Sequence, residues 1–295
     1  MTRERARSAP RLHLPHGSAE ADGDPLVITP ESAGWRYTGL RIVELSPGEW
    51  RELATGLDEI LVLPLMGGCS LEVDGERFAL AGRESPFARV SDFAYVPVGA
   101  AATLSSEAGA TVALPCARAE RRYPPAYGPA EAVRVEVRGA GSATRQINNL
   151  FAPGVLEAQR LVVVEVLTPA GNTSSHPPHK HDHASDGEAE LEEIYYFCFD
   201  RPGAFGFHRT YAADGAFDVT ATVEDGDAFL VPSGYHGPCA APPAYPMYYL
   251  NVLAGPGAER SLAFRDDPAH AWIRASWDGE SPDPRVPMTS AQGRQ

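Results

Sequence analysis

Basic residues are scarce: 25 Lys and Arg stand against 39 Asp and Glu, a formal net charge of −14. A phosphate backbone needs a basic face, so no nucleic-acid partner is expected. Cysteine is scarce as well. Cys69, Cys116, Cys198 and Cys239 are scattered without a C-x-x-C pair, which argues against a disulfide framework and for reduced thiols in a cytosol. No window approaches the ~18 uninterrupted apolar residues of a membrane span. The start MTRERARSAPRLHLPHG carries arginines but no apolar run behind them, unlike a secretory leader. The expectation is a soluble cytoplasmic protein that does not engage a membrane.

What is present is length, turn residues and short apolar runs. A chain of 295 residues exceeds the usual single domain. Gly 28 and Pro 27 interrupt it often, which favours short strands over long helices. Residues 1–25 read as a polar arm and the stretch after Trp277 as an unstructured tail. Between them lie β-branched and aromatic runs at 37–45, 59–65, 93–98 and 111–116, then at 161–167, 193–199, 203–211, 227–233 and 247–255.

The two sets of runs echo each other. Asp92 to Gly99 and Asp227 to Gly234 both read D-x-x-x-V-P-x-G. Glu59-Ile60 and Glu193-Ile194 each open an upstream strand, at separations from those aspartates that differ by one residue. A repeat of this length indicates a duplicated domain rather than a solenoid. The predicted fold is all-β, two tandem jelly-roll-like barrels of the cupin class. The expected division is a first barrel over 1–135, a second over 136–277 and a flexible tail over 278–295.

The chemistry concentrates in His176-Pro-Pro-His179-Lys180-His181-Asp-His183. Alternation along a strand puts His179 and His181 on one face, where two imidazoles can share a metal. A carboxylate from the next strand completes such a site. Glu193 is preferred over Glu192, because the repeat aligns Glu193 with Glu59. His236, just after the second V-P-x-G turn, is the fourth ligand, and the matching position in the first half is Ala101. His176 and His183 are read as flanking residues; His13, His16 and His270 are read as solvated. Three imidazoles and a carboxylate suit one divalent transition ion, Zn, Mn, Fe, Co or Ni, with Zn or Mn favoured.

NTSSHPPHKHD (172–182), LEEIYYF (191–197), VEDGDAFLVPSGYH (223–236), YYLNVLAGP (248–256) and ITPESAGWRYTGLRIVELSPGE (28–49) together resemble the 5-deoxy-glucuronate isomerase family of bacterial inositol catabolism. The related 4-deoxy-threo-hexosulose-uronate isomerases share the metal motif but less of these phrases. One departure is His176, at a position before Pro-Pro that is often aromatic in the family. The resemblance implies a bicupin, metal-bound aldose–ketose isomerase converting 5-deoxy-D-glucuronate to 2-deoxy-5-keto-D-gluconate. Its metal ligands fall on His179, His181, Glu193 and His236.

Such a reaction moves one proton between neighbouring carbons and another between their oxygens, so a general base is needed. Glu193, Lys180 and a tyrosine from Tyr235, Tyr248 or Tyr249 are the candidates, Tyr249 foremost. The substrate carboxylate calls for a guanidinium. Arg145, Arg160 and Arg209 are the expected binders, with Tyr235 beside them. The partner is a small sugar acid, and a homo-oligomer is compatible with the sequence. Two rival readings share the ligand set: a cupin Fe(II) dioxygenase and a non-catalytic sugar-binding cupin.

Overall fold

Short β-branched and aromatic runs bounded by Gly and Pro fold as antiparallel strands throughout the computed structural model, which describes residues 11–295. Residues 1–10 of the expected arm lie outside the described residues. The expected all-β fold is observed. Its described helices are single turns, Pro30–Ala33 and Trp272–Ser276, with one 3-10 turn at Ala130–Ala132. No described helix is long and apolar enough to cross a membrane.

The first half builds a curled sheet around Asp58–Val73, a strand of 16 residues. One end of this strand pairs with Phe93–Val96 and Ala110–Arg118; the other pairs with Glu76–Arg83 and Ala101–Ser105. The turn between the two faces comes at Pro64 to Gly68, where the register slips. Gly67 has φ +75°, and a Cβ there would meet Gly109 O at 2.4 Å, so only glycine fits the bend.

The second half is two facing sheets. One orders Ala228–Val231, Glu192–Phe199, Met247–Ala254, Val162–Thr168, Arg145–Phe151 and Arg134–Arg138; the other runs through Phe205–Tyr211, Tyr235–Ala240 and His179–Lys180. Every residue of Met247–Ala254, Val162–Thr168 and Arg145–Phe151 is buried. The reason is that both faces of this sheet are covered. One face packs inside its own barrel, with Val166, Phe197, Phe229 and Tyr249. The other, with Leu150, Tyr248, Leu250 and Val252, merges with Leu40, Ile42, Leu61 and Tyr95 of the first half in a shared core. That double burial explains why these strands read as nearly continuous apolar runs.

Two carboxylates clasp the halves reciprocally. Glu59 accepts the backbone N–H groups of Gln159, Arg160 and Leu161 at 2.9, 2.6 and 2.7 Å. Glu192 accepts those of Arg36, Tyr37 and Thr38 at 2.7, 2.8 and 2.9 Å. The counterpart of Glu59 is therefore Glu192, not Glu193. Register agrees: Val96 of the first V-P pairs with Ile60, whereas Val231 of the second pairs with Glu193. The alignment of Glu193 with Glu59 is off by one residue. The position that carries Glu193 in the second half carries Ile60 in the first, which leaves that barrel without a carboxylate there.

Two expectations about the ends are corrected. The strand His13–Leu14 joins the second half's sheet through Ala228 and Phe229, so the arm crosses out of the first unit. His13 Nε2 lies 2.7 Å from Asp227 Oδ2 rather than in solvent. The stretch after Trp277 is not a loose tail. Thr289 is fully buried, and its N–H and that of Met288 reach Gln146 Oε1 at 3.0 and 2.6 Å. Gln146 Nε2 returns a bond to Thr289 O at 3.0 Å, and Val90 N–H reaches Ser290 O at 3.0 Å. A polar, Pro-rich composition hid this, because the contacts that order the segment are made by partners far away in sequence. Ending the chain after residue 285 orphans the buried Gln146 Oε1 and leaves Nε2 with Asn148 Oδ1 at 2.7 Å. The expected loss of about 1–3 kcal/mol lowers the melting temperature by roughly 2–5 °C, measurable by scanning calorimetry.

Candidate metal centre

Three strands deliver the expected ligands to one end of the second barrel. His179 stands directly opposite His236 in an antiparallel pair, with ring centroids 4.5 Å apart. His181 follows two residues after His179 and is tied to the next strand by Leu191 N–H donating to His181 O at 2.8 Å. Glu193 is the second residue of Glu192–Phe199 and faces inward, while Glu192 faces the seam. Gly237 follows His236 with φ +97°, and a Cβ there would strike Ser175 O at 1.8 Å. Close approach of the two strands thus requires glycine beside the ligand.

His181, Glu193 and His236 form the tight trio, each offering one donor atom with all three atoms within 4.8 Å of one another. Glu193 Oε2 lies 3.0 Å from His181 Nε2 and 3.2 Å from His236 Nε2, the latter without hydrogen-bond alignment. The His179 ring is farther from His181, 6.4 Å between centroids, and packs on Phe264 at 4.7 Å. Backbone carbonyls fix two tautomers. His179 Nδ1 bonds Pro177 O and His181 Nδ1 bonds Leu191 O, both at 3.1 Å. That places each proton on Nδ1 and leaves Nε2 as a lone pair. Both ring nitrogens of His236 are buried without a partner.

Electrostatics fit the same role. Burial, then the neighbouring His236 and His181, hold the His179 imidazole well below its usual pKa, hence neutral. Burial alone would raise the Glu193 carboxyl, but the His181 and His236 rings set against it outweigh that and hold it far below the usual range. A neutral His179 imidazole, an ionised Glu193 and an orphaned buried His236 suit a borderline divalent ion, and His181, raised by its contact with Glu193, completes the donor set. The residues fit the implied metal.

Beside this cluster a cavity opens between the two sheets, lined among others by Arg145, Ser175, Tyr195, Tyr249, Asn251 and Phe264. Arg145 is 4% exposed and has no carboxylate partner among the described residues. It donates only to Ala143 O and His176 O, each at 3.1 Å, and lies 5.7 Å from the Trp277 ring. Burial, with Arg138 and Arg274 nearby, lowers its pKa to about 10, so it stays charged at neutral pH. Tyr249 and Tyr195 share the Ser175 hydroxyl at 3.0 and 3.1 Å. Burial raises both phenols well above the usual tyrosine value. Ser175 itself adopts φ +47°, a left-handed conformation costly for a non-glycine residue, at the centre of this hydroxyl cluster.

The structure thus brings His179, His181, Glu193, His236, Arg145 and Tyr249 together. It places five other expected residues elsewhere. Lys180 points away between its two histidine neighbours, held by Asp182 Oδ1 and Glu188 Oε1 at 2.6 Å each. Arg160 sits at the seam, bonded to Gly255 O at 2.9 Å and 4.9 Å over Tyr37. Arg209 is half-buried, in a fork with Asp218 and over Tyr211. Tyr235 packs against Tyr211 at 5.7 Å, outside the cavity lining. Tyr248 faces the first half and donates to Glu165 at 2.8 Å. His183 is exposed and His176 half-buried, and neither joins the trio. Tyr195, expected as barrel wall, and Asn251 line the cavity. A period of two could have found them, since they stand two residues from Glu193 and Tyr249.

Comparisons with known proteins agree with this geometry. The KduI/IolB family model matches residues 13–273. The 5-deoxy-glucuronate isomerase of Geobacillus kaustophilus is 38% identical over 269 residues, spanning 90% of this chain and 96% of its own. That of Bacillus subtilis strain 168 is 35% identical over 267 residues, spanning 89% and 97%. The crystal structure of an IolB-like protein from Salmonella typhimurium superposes with TM-score 0.83 at 34% identity, covering 89% of this chain and 99% of that one. Oxalate decarboxylase from Bacillus subtilis shares only the bicupin fold, with TM-score 0.63 at 13% identity over 92% and 84% of the two chains. The family model and these relatives span both halves: the chain belongs to the KduI/IolB family.

Proposed function

We propose that this chain is a metal-dependent aldose–ketose isomerase that converts 5-deoxy-D-glucuronate to 2-deoxy-5-keto-D-gluconate in myo-inositol catabolism. The observation that carries the reading is one cavity with a buried imidazole–carboxylate cluster at one side and a buried, unpaired guanidinium at the other. A sugar acid has matching ends, a carbonyl and a carboxylate. Relatives named for this activity, aligned over nine-tenths of the chain, support the same assignment.

His179, His181, Glu193 and His236 would hold one divalent transition ion, Zn or Mn favoured. When bound, that ion supplies Lewis acidity, polarising the carbonyl and steadying negative charge on the reacting oxygens. Arg145, which has no carboxylate partner among the described residues, binds the substrate carboxylate with the N–H groups not given to Ala143 O and His176 O. Tyr249 keeps its proton at neutral pH and is held by Ser175, so its Oη is placed to donate to a substrate oxygen. Glu193, set against the His181 and His236 rings, serves as a ligand. Leu262 and Phe264 wall the cavity on the side of the His179–Lys180 strand and limit water there.

The direct test is turnover of 5-deoxy-D-glucuronate followed by NMR, on metal-loaded native protein and on His179→Ala. Conversion by the first and none by the second supports the reading. No conversion by folded, metal-loaded protein leaves the barrel and cluster standing but removes the isomerase, and O₂-dependent assays come next. For Arg145→Met, kcat/KM falls about 100- to 1,000-fold, mostly through KM, as two charge-assisted bonds are lost. Thermal stability stays level or rises, since a buried charge without a counter-ion is removed. A melting temperature that falls together with an unchanged KM would show Arg145 to be structural.

A further inference from the structure

On the cavity face of strand Met247–Ala254, Tyr249 shares the Ser175 hydroxyl and Leu253 is apolar. Asn251 stands between them, 4% exposed, and its amide nitrogen Nδ2 is buried without a hydrogen-bond partner among the described residues. Its lateral neighbours do not supply one. Register puts Tyr195 on one side and Val164 on the other. Valine has no acceptor, and the Tyr195 hydroxyl meets Ser175 Oγ at 3.1 Å rather than the Asn251 amide. Asn149, another amide lining the same cavity, does have a partner, donating to Arg134 O at 3.1 Å. Folds rarely keep a buried donor unmade, and one that persists beside a cavity points to an acceptor brought from outside.

Position narrows that acceptor. Leu253 pairs with Glu193, so Asn251 lies one same-face step from the ligand row. Tyr249, one step further on, leads toward Arg145, and the flanking Ile147, Val164 and Val166 are apolar. We propose that Asn251 is a substrate-positioning residue. Its Nδ2–H donates to a hydroxyl oxygen midway along the sugar acid, between the end at the His–Glu cluster and the carboxylate at Arg145. The inference rests on the isomerase reading above and adds to it a means of telling a hydroxyl-bearing carbon from a methylene.

The test uses full-length, metal-loaded protein with Asn251→Leu, near the native side chain in size and lacking the orphan donor. Asn251→Asp is the second variant should leucine disturb packing. Metal content and melting temperature stay at native values or higher, while KM rises about 10- to 100-fold with kcat changed less. The 3-deoxy and 4-deoxy analogues of the substrate then locate the bond. The analogue lacking the partner hydroxyl is handled equally by native and variant protein, and the other retains the penalty. Native kcat/KM in both variants overturns the inference while leaving the isomerase intact. An equal penalty on every analogue also overturns it and assigns Asn251 to packing. No turnover by the native protein removes the isomerase reading and this inference with it.

Discussion

His181→Ala folds, binds no stoichiometric metal, and turns over at least about 1,000-fold more slowly than the native protein, because the ligand-held Lewis acid is lost with it. His181 is the member of the trio whose imidazole Nε2 touches the Glu193 carboxylate and whose tautomer is pinned by Leu191 O. Removing the ring leaves Glu193 with His236 alone at close range and opens a hole that no other donor fills. The fold has less reason to suffer, since Leu191 N–H still meets the backbone carbonyl of residue 181. Metal content by elemental analysis and turnover by NMR measure the two losses. A chelator separates them from misfolding. It lowers the melting temperature of the native protein, where bound metal stabilises the folded state by about 4 kcal/mol at a thousandfold excess over Kd. It does nothing to His181→Ala. A variant that keeps its metal and its activity would remove His181 from the site.

How much of this was legible in the sequence depended on which interactions are local. The duplicated V-P-x-G turns announced two barrels because each turn is a short, self-contained device. The His-x-His pair and His236 could be named because strand alternation fixes which side chains share a face. Glu193 was reached through an alignment one residue out of register. Leu-Glu-Glu-Ile offers two carboxylates, and only pairing with Val231 or Val96 shows that Glu59 matches the seam residue Glu192. The arginines were harder. Arg145, Arg160 and Arg209 have long side chains whose partners are set by tertiary neighbours, a hairpin aspartate for one and a distant carbonyl for another. Their sequence surroundings could not tell the unpaired one apart. Asn251 and Tyr195 were readable in principle, since period two continues from Tyr249 and Glu193. The tail was not, because its order depends on Gln146, well over a hundred positions away.

Breaking the ion pair between Arg83 and Glu165 is the change expected to cost the fold most. Both side chains are fully buried at the junction of the halves. Glu165 also accepts from Tyr248 at 2.8 Å and Asn148 at 3.0 Å, and Arg83 donates to Pro64 O and Arg89 O at 3.2 Å each. Glu165→Leu strands a guanidinium that no water reaches, a loss of about 3–5 kcal/mol and roughly 5–8 °C in melting temperature. Arg83→Met leaves a carboxylate that still has two donors, so its cost is smaller. The double variant recovers most of the loss, because a paired charge replaced by apolar volume is often neutral. A double variant no better than Glu165→Leu would show that the pair itself contributes nothing. Alternation along Val162–Thr168 places Glu165 toward the first half while Val164 and Val166 line the cavity. The same strand is therefore floor to the site and rivet to the other barrel. A second half expressed without residues 1–135 would expose Tyr248, Leu250 and Val252 and strand Glu165 without Arg83. It should be insoluble or inactive, and an active isolated half would show that the second barrel does not need the first.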